Sequence, residues 1–446
     1  MGRKCTLGKN RLTIIKIPGK VTNPMKALLN SLTLLSFTAL FTGVTYADTI
    51  IVDDDGGSGV DFTNVQAAID SASHDDVIII RQGSYSGFVL DLGLTLLGSE
   101  ADHSSVITGD VLITGIPNPK KAVLTGLRMQ RVALNLNNGH VILDSLIIEP
   151  QFTTTAALSV NDSVDVRMYQ TTVTIPNTTS PPAGNGVQVV NSRFEAIDSN
   201  ITGSAGFSSS CSNAGDGAAG LWASGGSILS AFQTECAGGR GGDTSDFCEW
   251  QDPYGGDGGD GMYIRGGSSV VVAGPDTNNI AGGDAGYGPC TFGCTNDGST
   301  GFGVYLLGDS SLRHSGVALS SAVAADGSTI DQASPADPYL ERLGILQHGS
   351  QQTFWVYGTP GDTVTFYLGR APTITVDPTQ VMDDLVSHER AYNLGTIPFS
   401  GKKKFTFNIP IWFPEAFTFF VQAATTDSGG NRLLTNSMPI VLRKLP

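Results

Sequence analysis

Four aspartates, Asp243, Asp257, Asp260 and Asp284, sit in glycine-rich runs between short apolar strands. Carboxylates in such runs, with backbone carbonyls beside them, are the donor set that calcium takes. Residues 255–261 read Gly-Gly-Asp-Gly-Gly-Asp-Gly and approach the calcium nonapeptide G-G-x-G-x-D-x-U-x. That motif works in tandem, and here it is not tandem. The plainer reading gives Gly the turns and Asp the Asx-turns of solvated loops. Calcium is thus the one cofactor suggested, and none is required. The same runs spell G-x-G-x-x-G at residues 215–220 and 256–261. A dinucleotide site needs that motif after a strand and at a helix start. Here it precedes a strand, which sets nucleotide binding aside.

Aromatic side chains offer a second chemistry, a platform for sugars. Trp222, Tyr263 and Tyr305 recur at one place in successive repeats, with Trp250 and Tyr254 in the loop between. Outward, the three would form a ladder for a glycan. Leu134, Leu158 and Gln188 hold the same column; Leu argues for inward and Gln for outward. Stacked core aromatics are the favoured expectation, with Trp250 and Tyr254 exposed. Cysteines are the third chemistry. Cys236 stands in the column of Ile201 and Ile280, strand positions that point inward, where a lone Cys behaves as a small hydrophobe. Cys211, Cys248, Cys290 and Cys294 fall in the long loops and allow two disulfides in three pairings. Proximity in sequence favours Cys290 with Cys294 and Cys211 with Cys248.

These residues hang on a repeat. Strand entries recur at Gly186-Val-Gln-Val-Val, Gly220-Leu-Trp-Ala-Ser, Gly261-Met-Tyr-Ile-Arg and Gly303-Val-Tyr-Leu-Leu, each pair separated by a long Gly, Asp and Ser loop. Leu134 and Leu158 are 24 residues apart, close to one plain coil of three short strands. Later spacings grow while strand lengths hold, so one loop per coil grows and all should project from one side. Upstream, Asp48 to Val52 reads as a strand. Phe62, Val65, Ala68, Ile69 and Ala72 share one face of a helix, with Asp61 as the expected N-cap. Val77 to Arg81 is a buried-type strand. Beyond residue 337 the pattern changes to alternating strands with turn breaks, such as Thr353-Phe-Trp-Val-Tyr and Lys404-Phe-Thr-Phe-Asn-Ile. Five or six strands there suggest a small β-sandwich.

Residues 1–47 read as a signal peptide. A basic region precedes an apolar run from Ala27 to Val44, and Thr45-Tyr46-Ala47 fits cleavage after Ala47. Met25-Lys26 would itself make a normal start, leaving 1–24 as a mis-called one. The run is short and polar for a membrane span, so no membrane insertion of the mature chain is expected. Removing seven basic residues leaves 19 against 41 acidic ones, a net −22. That charge argues against nucleic acid, anionic membranes and polyanionic substrates.

The order Phe62-x-x-Val65-Gln66-x-Ala68-Ile69, Asp76-x-Ile78-x-Ile80, Gly83-x-Tyr85 resembles the N-terminal cap and first coil of pectin-lyase-like right-handed parallel β-helix proteins of the secreted bacterial type. The resemblance covers roughly 25 residues and carries no catalytic group. More loosely, the C-terminal part resembles a sandwich of secreted bacterial repeat proteins. The resemblance implies an all-β chain: a right-handed parallel β-helix with a capping helix over 48–335, then a β-sandwich over 338–446. It also raises polysaccharide cleavage. A lyase needs a Lys or Arg base with acidic calcium ligands, and a hydrolase needs paired carboxylates. Arg128, Arg131, Arg167 and Arg193 could supply a base. Asp162 and Asp165 lie three apart, with Asp162 expected in a turn. Asp144-Ser145 and Asp198-Ser199 look like one recurring turn, and His140 looks like a turn histidine. The polygalacturonase motifs are missing from the sequence. The leading expectation is therefore a non-catalytic secreted or cell-surface protein that binds an extracellular polysaccharide or a surface protein through its loops. The rival is a polysaccharide lyase or glycoside hydrolase.

Overall fold

The structure is a computed structural model. It describes residues 47–98, 102–151, 155–176, 183–210, 212–244, 253–275, 279–289, 296–333, 337–343, 349–370, 372–375, 384–409 and 416–443. The leader assignment lies outside these residues, as do Trp250, Cys211, Cys248, Cys290 and Cys294.

The chain winds as a right-handed parallel β-helix and ends in antiparallel sheets that form a β-sandwich. One wall of the helix is an 11-stranded parallel sheet. The other two walls are limbs of a second parallel sheet, joined where the strand Arg128–Asn135 spans both. Alternation fills the interior. Val132 and Leu134, Leu158 and Val160, Val187 and Val189, Leu221 and Ala223, Met262 and Ile264, Val304 and Leu306 all point in and are buried. The third wall contributes Met129, Ile148, Val173, Ile201, Cys236 and Ile280. Cys236 is fully buried and pairs in register with Ile201 and Ile280. Burial pushes its thiol up to about 12, which makes it an inert core residue.

The capping helix is Val65–Ser71, and its N-cap is Asn64 rather than Asp61. The chain is still extended at Phe62, which bridges Val52. Asp61 instead accepts a bond from the Ile51 amide at 2.8 Å. The helix buries Val65, Ala68 and Ile69 over the first coil, closing an apolar end.

The expected 24-residue coil is corrected by the register. Leu158 pairs with Val132, 26 residues away, and Leu134 pairs with Val160. The turn equivalence shifts as well. Asp144 pairs with Tyr169, which pairs with Ile197, so Ser145, Gln170 and Asp198 hold the left-handed turn position. Asp162 is in a left-handed turn as expected. His140 is not a turn residue. It lies in the strand His140–Asp144, with Nδ1 2.7 Å from Asp165 Oδ2.

The sandwich docks on the 11-stranded wall. Its two sheets enclose Phe354, Phe366 and Phe419. Thr418, Phe420, Gln422 and Ser437 turn toward the helix. Arg167, fully buried, reaches across this junction. It holds Asp165 at 2.7 Å and donates to the Ser437 hydroxyl at 2.8 Å and the Leu385 carbonyl at 3.1 Å. Tyr169 Oη donates to the Ser437 carbonyl at 3.2 Å. Burial alone would raise the Asp165 carboxyl, but Arg167 and His140 outweigh it and hold it well below the usual range. Next to it, Glu195 is buried, and its Oε1 lacks a hydrogen-bond partner among the described residues. Burial raises its carboxyl to about 7, against the pull of Arg167 and Arg193 and with the push of Asp165.

Glu195 thus holds its proton more tightly folded than unfolded. Its contribution is present below its unfolded value of 4.5 and is lost as pH rises through about 7. Between pH 4.5 and 7, stability is expected to fall on this account by on the order of 2–3 kcal/mol. Denaturant titrations across that window should show a flatter profile for Glu195→Gln than for wild type. Parallel profiles would refute the assignment.

Candidate functional site

Between the strand repeats run six long segments that are strand only at Ala237 and Ala281, where two of them start: 203–209, 214–220, 237–244, 254–261, 281–287 and 296–303. Their backbone donors are met at every third residue. Gly238, Gly241 and Thr244 donate to the carbonyls of Ala281, Asp284 and Tyr287 at 2.8–2.9 Å. Gly255, Gly258 and Gly261 donate to Asn296, Ser299 and Phe302 at 2.8–2.9 Å. Between outgoing and returning segments the direction reverses: Gly239 and Gly242 donate to Ala218 and Gly215 at 2.8 and 2.9 Å. A repeat of three with bonds only between segments is the signature of polyproline-II-type helices. The loops therefore form two packed layers. Segments 203–209, 237–244 and 281–287 make the outgoing layer, and the other three make the returning one.

Glycine is required because the segments touch backbone to backbone. A Cβ on Gly239 would sit 1.8 Å from the Ser204 carbonyl oxygen, and one on Gly241 would sit 1.9 Å from that of Gly256. Their role is contact, not turn-making. Aspartates tie successive segments of the returning layer to one another. Asp216 Oδ1 accepts from the Asp257 amide, Asp257 Oδ1 from the amide and hydroxyl of Ser299, and Asp260 Oδ1 from the Phe302 amide, all at 2.7–2.9 Å.

Trp222, Tyr263 and Tyr305 pair directly across neighbouring strands, with Gln188 before them. They are half-buried on the outside, not core aromatics. The expectation of inward stacking is overturned because Leu158 is one residue out of this column: Gln188 pairs with Ser159. A slip of one residue exchanges the faces of a strand. Tyr263 and Tyr305 have ring centroids 5.5 Å apart, and Phe302 stacks on Tyr305, also at 5.5 Å. The Arg265 guanidinium lies 4.9 Å over the Trp222 ring.

This row runs beside the returning layer, and the two enclose an open groove of about 550 Å³. Trp222 and Tyr263 form one wall; Asp216, Asp257, Asp260 and Asn185 line the other. Burial raises the Asp260 carboxyl, against the Phe302 amide. The structure thus brings Trp222, Tyr263, Asp257 and Asp260 together, with Tyr305 next along the row. Tyr254 is exposed farther out on the returning layer. Asp243 and Asp284 belong to the outgoing layer. Asp216, Asn185 and Phe302 were missed by sequence reasoning, although Asp216 precedes Gly217 as Asp257 precedes Gly258.

The four proposed calcium ligands do not meet. Asp243 is paired with Arg240 at 2.7 Å and accepts from the Tyr287 amide, while Asp257 and Asp260 accept amides of the next coil. Among the described residues no group of three or more His, Cys, Asp or Glu could hold a metal ion. With Asp243 engaged by Arg240 and Asp257 and Asp260 by backbone amides, chelation is expected to leave the melting temperature unchanged. A drop of several degrees on adding EDTA, reversed by calcium, would contradict this.

Of the four arginines offered as bases, Arg193 acts on the buried Glu195 carboxylate, and the other three are engaged as well. Arg128 pairs with Glu149, Arg131 with Asp110 at 3.4 Å, and Arg167 is sealed under the sandwich.

No family model matches the chain, and no curated protein does. Among solved structures the chain is similar to the pectin methylesterase from Aspergillus niger. The two are 13% identical, with 64% of this chain and 91% of that chain covered and a TM-score of 0.23. It is also similar to full-length tailspike protein 2 from Escherichia coli O157:H7 bacteriophage CAB120. There the identity is 9%, the coverage 88% of this chain and 64% of that chain, and the TM-score 0.24. The chain thus spans less than two thirds of the tailspike. At these scores the groove has to be read from this chain's own residues. Among the described residues no helix is long and apolar enough to cross a membrane.

Proposed function

We propose that this is a secreted, non-catalytic protein that binds an extracellular polysaccharide in the groove between the aromatic row and the returning glycine-rich layer. The observation that carries the reading is the outward column Trp222, Tyr263, Tyr305, set one coil apart, whose first two rings line a groove walled by carboxylates. The rings recur at coil spacing, about 4.8 Å, and present apolar surface against which successive sugars can pack. Asp216, Asp257 and Asp260 are acceptors for sugar hydroxyls. Their charge disfavours uronates in the groove, so the ligand class is a neutral glycan.

The rings are anchors of the kind that carry most of a binding energy. Trp222→Ala is expected to weaken binding of a neutral glycan at least tenfold, about 1.4 kcal/mol, without a change in melting temperature. Calorimetric titration of variant and wild type checks this; equal affinities would remove the groove from consideration.

A hydrolytic reading draws on one observation, the raised Asp260 carboxyl beside Asp257. Under that reading Asp260→Asn abolishes release of reducing sugar. Under binding alone there is no release to abolish.

A further inference from the structure

The solvent face of the three-stranded sheet of the sandwich carries charge opposite to that of the groove. Its strands are Tyr339–Leu343, Gln351–Tyr357 and Lys402–Asn408. Cross-strand register makes two rows, Tyr339–Tyr357–Lys402 and Glu341–Trp355–Lys404. Phe354, Phe405 and Phe407 turn the other way, into the sandwich core. Tyr339 and Tyr357 stack with centroids 4.4 Å apart and planes 9° apart. Lys402 Nζ lies 4.8 Å from the Trp355 ring centre and 5.9 Å from that of Tyr357, and Lys404 Nζ lies 5.9 Å from Trp355. The one carboxylate on this face among the described residues, Glu341, accepts the Tyr357 hydroxyl at 2.6 Å. Among the described residues neither Lys402 nor Lys404 has an ion-pair partner.

We propose that this face is a second binding surface, separate from the groove, and that it takes an anionic polysaccharide carrying carboxylates or sulfates along its chain. Charge complementarity carries the argument. On a chain with 26 basic and 41 acidic residues, two adjacent ammonium groups without carboxylate partners stand out as an anion site. The rings hold the lysine heads in place by cation–π contact, which lowers the entropy lost when an anion binds. The three rings are half-buried in an open, flat sheet. That surface suits a ribbon-like polymer lying across it; the fully exposed Phe399 stands in the turn before Lys402, at the end of the strand rather than among the three rings. The acidity of the rest of the chain does not forbid this, because charges beyond about 8 Å are largely screened at physiological salt.

The test is affinity electrophoresis of the full chain through gels containing alginate or dextran sulfate at about 0.15 M salt. Wild type is expected to be retarded and to be released in strong salt. Lys402→Gln/Lys404→Gln is expected to raise the apparent Kd at least tenfold. In that variant neutral-glycan binding at the groove and the melting temperature stay unchanged. No retardation of wild type, or equal retardation of the double variant, overturns the proposal. So does capture by phosphatidylserine vesicles without polysaccharide binding, which assigns the face to membranes. Self-association lost in the double variant, again without polysaccharide binding, assigns it to a second copy of the chain.

Discussion

Replacing Arg167 with methionine is expected to destabilise the protein by roughly 3–5 kcal/mol, the cost of leaving a buried charge without its partner. Two carboxylates depend on this guanidinium. Asp165 lies 2.7 Å from it, and Glu195 is kept from an even higher value by it. The same side chain bonds Leu385 and Ser437, so its loss also removes two links that hold the sandwich to the helix. Urea unfolding of Arg167→Met should show a midpoint shift of that size. Asp165→Asn in the same background should recover part of it by removing one orphaned charge. A loss below about 1 kcal/mol would mean that water reaches the cluster and that the junction is looser than described.

A single methyl group at Gly239 is expected to cost roughly 2–3 kcal/mol. Its Cβ would meet the Ser204 carbonyl oxygen at 1.8 Å, and that oxygen belongs to backbone packed on both sides. The layers cannot open locally, because Gly239 also donates to Ala218. Gly226→Asn is the contrasting substitution. Gly226 has φ of +73° and open space around it, a conformation Asn tolerates, so the effect there should be a few tenths of a kcal/mol. Thermal unfolding of both variants separates close contact from turn-making. Equal small effects would dissolve the two-layer description of the loops.

The sequence showed the repeat because inward positions recur as Val, Leu, Ile and Met. It placed Cys236 correctly because Ile201 and Ile280 flank it in the same column. It failed at the aromatic row, where Leu158 was aligned one residue away from Gln188. Spacing alone cannot settle such a slip when coil lengths vary, and one residue decides which face a side chain takes. The glycine runs were read as solvated turns because composition does not reveal that their amides find carbonyls of neighbouring segments far along the chain. For Gly241 the carbonyl belongs to Asp284. Arg167 was offered as a base for the same kind of reason. Its burial depends on Leu385 and Ser437, far along the chain, and nothing local marks it. The groove inherits both difficulties. Two of its aspartates were visible as motif residues, but their meeting with Trp222 and Tyr263 depends on the register and on the stacking of the loops.

The most direct test of the account is one titration series. Purified protein is titrated with a panel of neutral polysaccharides, with Trp222→Ala/Tyr263→Ala beside it, while released reducing ends and unsaturated products are followed. The account predicts that at least one neutral glycan binds wild type, that the double variant loses that binding at least tenfold with its fold intact, and that no product accumulates. Binding unaffected by the two substitutions, or glycan turnover by the wild-type chain, would contradict it.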